Sequence, residues 1–243
     1  MSDDLSFGAK LDNWRSTPYS KWAFHHVREI IPTADIENKS GLVNNLSLDI
    51  QRFEDLNLEL VMEETETDAI VIAQNSSILF EKYNNGMSEK SPHILFSVSK
   101  SILGLIVGAL IGNKTLNESD LIIKFVPELK MTAYSDATVR DLLDMRVGVK
   151  FDEDYTATTG PIINYRYAAN WNPVPVGVEA GDLKSFMGSL TERDGIHNDR
   201  FHYVSPNTDL LAWVCERASG IRYSDLISEL LWTPLGAESS GYI

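Results

Sequence analysis

A serine and a lysine three residues apart, Ser97 and Lys100, form the most reactive pattern in the sequence. Residues with this spacing on a helix lie on one face, one turn from each other. A serine hydroxyl becomes a good nucleophile only when a neighbouring group takes its proton. A neutral lysine can do so, and burial beside apolar residues lowers the pKa of a lysine toward neutrality. Free N–H groups at the start of the helix would favour a developing oxyanion. The pair therefore predicts a nucleophile and its base.

The same pattern also has a purely structural interpretation. Ser-x-x-Lys arises by chance about once in a few hundred residues, and serine is an ordinary N-cap. Here, however, the pair leads into the apolar run 102–112. A charged Lys100 in that setting would be costly without a purpose. The placement favours the catalytic interpretation.

A tyrosine, Tyr203, stands two residues before Ser205, just ahead of a predicted helix. This position could direct its phenol into a cleft, where the phenol could serve as a base for Ser97 or as an acid for a leaving group. Seen alone, the segment is more simply a loop with a half-buried tyrosine. Its catalytic interpretation depends on Lys100 lying nearby.

Several patterns predict the elements that must position these residues. The apolar run 100–111 predicts a buried helix, and two β-rich stretches around a polar break at 69–83 predict a hairpin. The Thr-x-x-Asp segment 138–141 predicts a capping box. Helical periods at 210–218 and 226–232 are predicted to end at Gly220 and Pro234. Apolar residues from Leu46 to Leu60 step by three or four, which predicts a helix there as well.

Two regions are less regular. Gly104, Gly108 and Gly112 recur every four residues, which we interpret as close packing of a core helix, because the run is too short to span a bilayer. Residues 151–200 are rich in Gly, Pro, Asn and Tyr, and are predicted to form long loops over a cleft. We divide the chain into an extension at 1–45, packed on the body, and a main domain at 46–243.

Composition excludes several classes of protein. The 21 basic and 35 acidic residues give a net charge of −14, which disfavours nucleic acid and anionic membranes as partners. A single cysteine, Cys215, allows no internal disulfide. His25 and His26 lack a third ligand at metal spacing, and no phosphate-binding glycine loop occurs, so we expect neither metal nor cofactor. The N-terminus has no pattern of an export signal, which predicts a cytoplasmic protein.

Together, the segments 97–100 and 203–205 resemble motifs of the serine hydrolases of the class C β-lactamase and penicillin-binding-protein superfamily. The sequence is most similar to one branch, the 6-aminohexanoate-dimer hydrolases, which have carboxylesterase relatives. The likeness extends from about Leu11 to Ile243 and is carried by the segments 22–24, 67–69, 96–101, 126–129, 144–145, 154–155 and 205–213.

The resemblance implies a fold and roles for individual residues. The fold is α+β and β-lactamase/transpeptidase-like, with an antiparallel sheet flanked by helices and a helical subdomain. Ser97 would be the nucleophile, Lys100 its proton acceptor and Tyr203 the proton relay. Tyr155 would hydrogen-bond the substrate, and Trp171 would line its pocket. Ser205, the last residue of the Tyr-x-Ser motif, joins the substrate-binding set.

The sequence departs from the family pattern in two ways. The usual Tyr-x-Asn is Tyr-x-Ser here, which fits amidases and esterases better than penicillin enzymes. The later Lys-Thr-Gly motif or its His-containing equivalent is absent up to Ile243. In the family, that strand supplies an oxyanion N–H in addition to the one from the nucleophile. We therefore expect the last strands of the sheet to lie beyond Ile243, and the 243 residues alone to be unable to turn over substrate.

The sequence thus predicts a serine hydrolase that cleaves small amides or esters through an acyl-enzyme. One alternative keeps the chemistry but changes the substrate, giving a β-lactamase or a D,D-peptidase. Another is a catalytically silent, penicillin-binding-like protein that only binds ligands. The natural substrate and the oligomeric state stay open.

Overall fold

The computed structural model describes residues 8–50 and 57–243, which form two compact units. One unit takes in Met1–Ile94 and Thr233–Ile243, and the other takes in Leu95–Trp232. The predicted boundary between residues 45 and 46 does not coincide with a boundary of these units, and the division at that point stays a prediction. Helices and short strands occur together, as an α+β chain requires.

The first unit contains the predicted hairpin. β3 (Ala69–Gln74) pairs antiparallel with β4 (Ser77–Tyr83), which confirms that prediction. Asn75 and Ser76 form the turn with φ angles of 49° and 64°, the left-handed region that two-residue hairpin turns require. A third strand, β2 (Ser47–Leu48), pairs parallel with β4, so the sheet is mixed rather than wholly antiparallel.

The rest of this unit consists of short elements. The predicted helix from Leu46 is wrong at its start, because Ser47–Leu48 is drawn into the sheet by pairing with β4. Its middle lies outside the described residues, and its end is helical. The remaining elements are α1 (Ser20–Ala23), β1 (Asp35–Ile36), α2 (Leu58–Glu64), a helical turn α9 (Thr233–Leu235) and β5 (Gly241–Tyr242), which pairs antiparallel with β1.

The second unit is built around a central helix, α3 (Ser99–Gly112), preceded by a 3₁₀ turn at Phe96–Val98. A helix forms where it is predicted, but only one of its faces is buried. Its buried side chains follow the i, i+3, i+4, i+7 pattern of one face, at Leu103, Ile106, Val107 and Leu110.

The prediction of close packing at the glycines of α3 is wrong. A Cβ atom added at Gly104, Gly108 or Gly112 would meet nothing within 4 Å in the described part of the chain. Leu105, beside these glycines, is 58% exposed. The glycines therefore lie on the open side of the helix, away from the core face.

Further helices of the second unit hold the loops that carry polar residues. The predicted capping box is present, since Thr138 accepts from the Asp141 N–H and the Asp141 carboxylate accepts from the Thr138 N–H. Residues 151–200 are not all loop, because two helices form there, one started by a proline at its first turn and one capped by Asp182. The helices of this part are α4 (Val139–Leu143), α5 (Pro161–Ala168), α6 (Leu183–Ser189), α7 (Ser205–Ser219) and α8 (Tyr223–Ile227).

α7 packs against α3 and ends where the sequence predicts, at Gly220 with φ of 73°. It begins at Ser205, earlier than the predicted Leu210. After α8, a π-helical turn covers Ser228–Trp232, and Pro234 lies within α9 rather than ending a helix. No helix in the described residues has the length and apolar character needed to cross a bilayer.

Candidate active site

Two side chains of the second unit, those of Lys100 and Tyr203, meet at the hydroxyl of Ser97. Lys100 donates from Nζ to Ser97 Oγ at 3.1 Å, and Tyr203 donates from its phenol to the same oxygen at 2.9 Å. The lysine ammonium also lies over the Tyr203 ring, 5.2 Å from its centroid. Both neighbours are within the reach that proton transfer requires. The geometry therefore brings together the three residues that the sequence selects.

Local structure accounts for this meeting. Ser97 lies in the 3₁₀ turn that leads into α3, and Lys100 lies in the first turn of that helix. Tyr203 lies just ahead of α7, which packs against α3. The N–H of His202 donates to the carbonyl of Met145 at 2.7 Å, which fixes the segment before Tyr203. Two packed helices thus hold the three groups.

The electrostatic environment differs from the one predicted for a buried lysine. Ser97 is exposed and Lys100 is half-buried, so the amine is not enclosed by the apolar face of α3. Burial would raise the pKa of Tyr203, but its hydrogen bonds with Ser97 and Lys100 and the charge of Lys100 outweigh burial and lower that pKa. The phenol proton of Tyr203 is therefore easier to remove than that of an ordinary tyrosine.

Glu153 connects two other predicted site residues. Its carboxylate accepts the N–H of Ser205 at 2.5 Å and the hydroxyl of Ser205 at 2.6 Å, and it also accepts from the phenol of Tyr155. Ser205 is only 8% exposed, so its polar groups are used within the protein, whereas Tyr155 is 61% exposed. Burial and the Glu153 carboxylate raise the pKa of Tyr155 to about 12. Tyr155 thus remains a protonated donor at neutral pH.

Trp171 contacts the residue that precedes the serine. Its ring lies 5.9 Å from that of Phe96, in an edge-to-face arrangement. Phe96 itself has φ of 45°, a left-handed conformation that bulky residues rarely adopt and that concentrates at functional sites. The strain at Phe96 sets the direction in which the chain enters the Ser97 turn.

A half-buried polar pair lies near Lys100. Tyr165 donates to Asp209 at 2.5 Å, and burial raises the pKa of Asp209 to about 6 while the charge of Lys100 lowers it. Deeper in the unit, Tyr134 donates to Asn207 at 3.0 Å, with both side chains fully buried. The sequence does not identify Glu153, Tyr165 and Asp209 as site residues. The sequence offers only two signals for them: Glu153 is two residues from Tyr155, and Asp209 follows Tyr203 by six residues, in the N-terminal half of α7.

Other candidate chemistry lies elsewhere. Within residues 8–50 and 57–243, no three His, Cys, Asp or Glu side chains are grouped as metal ligands. His25 and His26 each bond a backbone carbonyl, of Lys21 and Trp22 respectively. Burial raises the pKa of the Cys215 thiol to about 12, which agrees with an inert, packed cysteine. A pocket in the first unit is lined by Lys21, Lys82 and several glutamates and holds none of the predicted site residues.

Comparison with known proteins bears on this geometry. A family model described as Beta-lactamase matches residues 58–242, which is most of the chain. The chain belongs to the beta-lactamase family. It is 34% identical over 238 residues to the 6-aminohexanoate-dimer hydrolase of Paenarthrobacter ureafaciens, a match that covers 96% of this chain and 59% of that protein. The chain thus spans about three fifths of the length of this curated relative.

Solved structures of the beta-lactamase type share the fold. A candidate 6-aminohexanoate-dimer hydrolase from Bacillus anthracis superposes with a TM-score of 0.87 at 23% identity, covering 100% of this chain and 65% of that one. EstCE1, described as a hydrolase with promiscuous acyltransferase activity, superposes with a TM-score of 0.55 at 18% identity, covering 75% and 51%. At these identities the likeness concerns the fold, and it confirms the predicted β-lactamase/transpeptidase-like class.

Proposed function

We propose that this beta-lactamase family member is a serine hydrolase that cleaves small amides or esters through an acyl-enzyme on Ser97. The observation that carries the proposal is the meeting of Lys100 Nζ and the Tyr203 phenol at Ser97 Oγ. Two proton-transferring groups on one hydroxyl form the arrangement that activates a serine. The reaction needs no cofactor, because side chains supply both the nucleophile and the bases.

In the first step, Ser97 Oγ attacks the carbonyl carbon of the substrate and its proton passes to Lys100, with Tyr203 as the relay. A bond forms between Oγ and the carbonyl carbon. The bond from that carbon to the leaving oxygen or nitrogen then breaks, and the leaving group takes the proton that Ser97 gave up. The backbone N–H of Ser97, in the 3₁₀ turn that leads into α3, would stabilise the oxyanion.

In the second step, water attacks the acyl-enzyme. The water loses a proton to the Lys100–Tyr203 pair, the ester bond to Ser97 breaks, and Ser97 Oγ regains a proton. The lowered pKa of Tyr203 supports its part in both transfers. The products are a carboxylic acid and the amine or alcohol released in the first step.

Tyr155 and Trp171 complete the proposed site. The single O–H of the Tyr155 phenol, which donates to Glu153 here, would turn from that carboxylate to donate to the substrate or the transition state. Trp171, beside Phe96, would form an apolar wall for the substrate. Ser205 would act by fixing the Glu153 carboxylate beside Tyr155. A small-molecule substrate of amide or ester type and a cytoplasmic location belong to the same proposal.

A fluorophosphonate probe tests the proposal, since it bonds covalently to activated serines and needs no turnover. We expect the 243-residue protein to be labelled and Ser97→Ala to abolish the labelling. Ser99→Ala is the matched control, because Ser99 is an exposed serine two residues further along the same helical segment. Labelling should survive in that variant. Unlabelled wild-type protein, or labelling that survives Ser97→Ala, would overturn the proposal.

A small substrate panel separates the proposal from the β-lactamase alternative. We expect 4-nitrophenyl butyrate to acylate the protein faster than nitrocefin does. The Tyr-x-Ser motif supports this order, because Ser205 directs both its N–H and its hydroxyl to Glu153. Acylation by nitrocefin that is much the faster of the two would favour a β-lactamase instead.

A further inference from the structure

Arg166, on α5, is a half-buried cation near Tyr155. Its guanidinium carbon lies 6.0 Å from the centroid of the Tyr155 ring, and Nη2 donates to the Tyr155 carbonyl at 3.3 Å. No carboxylate of the described residues lies within ion-pair distance of it. Arg140, by contrast, has carboxylate oxygens at 2.7 and 3.2 Å. A guanidinium carries five N–H donors, so Arg166 keeps most of its capacity for a ligand.

Two carboxylates close to Tyr155 in the sequence, those of Glu153 and Asp154, are already engaged. Asp154 interacts with Arg166 through longer-range attraction only, and it accepts from the N–H and the hydroxyl of Thr156 at 2.8 and 2.7 Å. Glu153 accepts from Ser205 and Tyr155. Neither acid forms an ion pair with Arg166, so the charge of the guanidinium remains uncompensated at close range.

Two series of contacts lead from Arg166 toward the candidate nucleophile. The carbonyl of Arg166 accepts the N–H of Trp171 at 2.8 Å, and the Trp171 ring contacts Phe96, which directly precedes Ser97. On the other side, Arg166 contacts Tyr155, which interacts electrostatically with Tyr203. The guanidinium thus lies beside Tyr155, and the main chain of Arg166 is bonded to that of Trp171, whose ring contacts the residue before Ser97.

We propose that Arg166 binds a carboxylate of the substrate, so that the preferred esters or amides carry a negative charge a few atoms from the carbonyl that Ser97 attacks. The proposal rests on the hydrolase function proposed above and names its substrate class. The planar fork of arginine pairs with both oxygens of a carboxylate, and such charge-assisted pairs are stronger than neutral hydrogen bonds. The carboxylate can belong to the acyl part or to the leaving group, and the two positions share this chemistry.

Matched esters test the proposal by single-turnover acylation of the 243-residue protein. For the acyl part, mono-4-nitrophenyl glutarate is compared with 4-nitrophenyl butyrate. For the leaving group, 4-butyryloxybenzoate is compared with 4-acetylphenyl butyrate. In at least one pair, we expect the charged ester to react about tenfold faster at low concentration, which corresponds to about 1.4 kcal/mol. The pair that shows the preference locates the carboxylate.

Variants of Arg166 assign that preference to the guanidinium. Arg166→Gln should bring the ratio of charged to neutral ester close to one, and Arg166→Glu should reverse it. Arg217→Gln is the control for a general loss of charge, because Arg217 is paired with Glu128 near the opposite end of α7, and it should keep the wild-type ratio. Raising the salt concentration from 0.05 to 1 M NaCl should reduce the ratio in the wild type but not in Arg166→Gln, since salt screens the attraction.

The outcomes separate this proposal from the one on which it rests. If Ser97 is acylated but charged and neutral esters react alike in both pairs, or if Arg166→Gln keeps the wild-type ratio, the carboxylate proposal is overturned and the hydrolase proposal stands. If neither the fluorophosphonate nor any ester reacts with Ser97, both are overturned.

Discussion

The phenol of Tyr203 lies 2.9 Å from the hydroxyl of Ser97, although 106 residues separate the two along the chain. Lys100, one helical turn from Ser97, reaches the same oxygen and also lies over the Tyr203 ring. The serine is thus held between one neighbour that is local in sequence and one that is distant. This pairing leads to the first prediction.

Replacing Tyr203 by Phe should slow fluorophosphonate labelling of Ser97 by roughly 10² to 10³-fold, the usual contribution of a positioned acid or base. In the wild type, the labelling rate should rise with pH along a limb below the ordinary tyrosine value of 10, because the pKa of Tyr203 is lowered and the Lys100–Tyr203 pair must lose a proton before it can take the one from Ser97. That limb should be missing in the variant.

Tyr223→Phe provides the control, since it removes a phenol from the neighbouring helix α8 and should keep both the rate and the limb. A Tyr203→Phe protein that keeps the wild-type rate and pH profile would show that the phenol takes no part in proton transfer.

Tyr155→Phe should reduce acylation less than Tyr203→Phe does, and the loss should be larger for amides than for esters. An amine leaving group must be protonated to depart, so a lost hydrogen-bond donor affects it more. The measurement is single-turnover acylation by a 4-nitroanilide and a 4-nitrophenyl ester of the same acid. Equal losses on the two substrates would argue against this role for Tyr155.

Asp209→Asn should change how stability depends on pH. The folded-state pKa of Asp209 is raised to about 6 by burial, so the folded protein binds this proton more tightly than the unfolded chain does. The stability contributed by the protonated group is therefore complete below the unfolded pKa and is lost as pH rises to about 6. Asn, which cannot ionise and can still accept from Tyr165, should remove this loss.

Urea unfolding of wild type and Asp209→Asn at pH 4.5 and 7.5 measures the effect. From pH 4.5 to pH 7.5, the free energy of unfolding of the variant should rise by roughly 2 kcal/mol relative to that of the wild type, because each pKa unit corresponds to about 1.36 kcal/mol. Asp225→Asn is the control, because it removes a carboxylate from a different helix, α8. A stability difference between Asp209→Asn and wild type that is the same at both pH values would contradict the account.

Local signals in the sequence predict much of the fold and the reacting pair. The hairpin at 69–83 and the helix α3 are visible because their periods and turn residues are contained in short windows. The spacing of Ser97 and Lys100 needs only the geometry of one helical turn. Tyr203 is identified by resemblance to a family motif, and the structure places its phenol on Ser97.

Partnerships across the chain are not visible in the same way. Glu153 meets Ser205 across 52 residues and Tyr165 meets Asp209 across 44, and nothing in the composition of a loop shows which polar side chain will face it. The helices α5 and α6 are concealed by flanking Gly, Pro and Asn residues. The glycines of α3 show the opposite error, because a regular spacing predicts a face but not whether anything covers it.

The most direct test of the central claim is peptide mapping of the acyl-enzyme. The protein is mixed with 4-nitrophenyl butyrate, quenched in acid and digested, and the butyryl group is located by tandem mass spectrometry. We predict that it resides on Ser97 alone, and that Lys100→Ala slows its appearance by several orders of magnitude. A butyryl group on any other residue, no butyryl group at all, or an unchanged rate in Lys100→Ala would contradict the account.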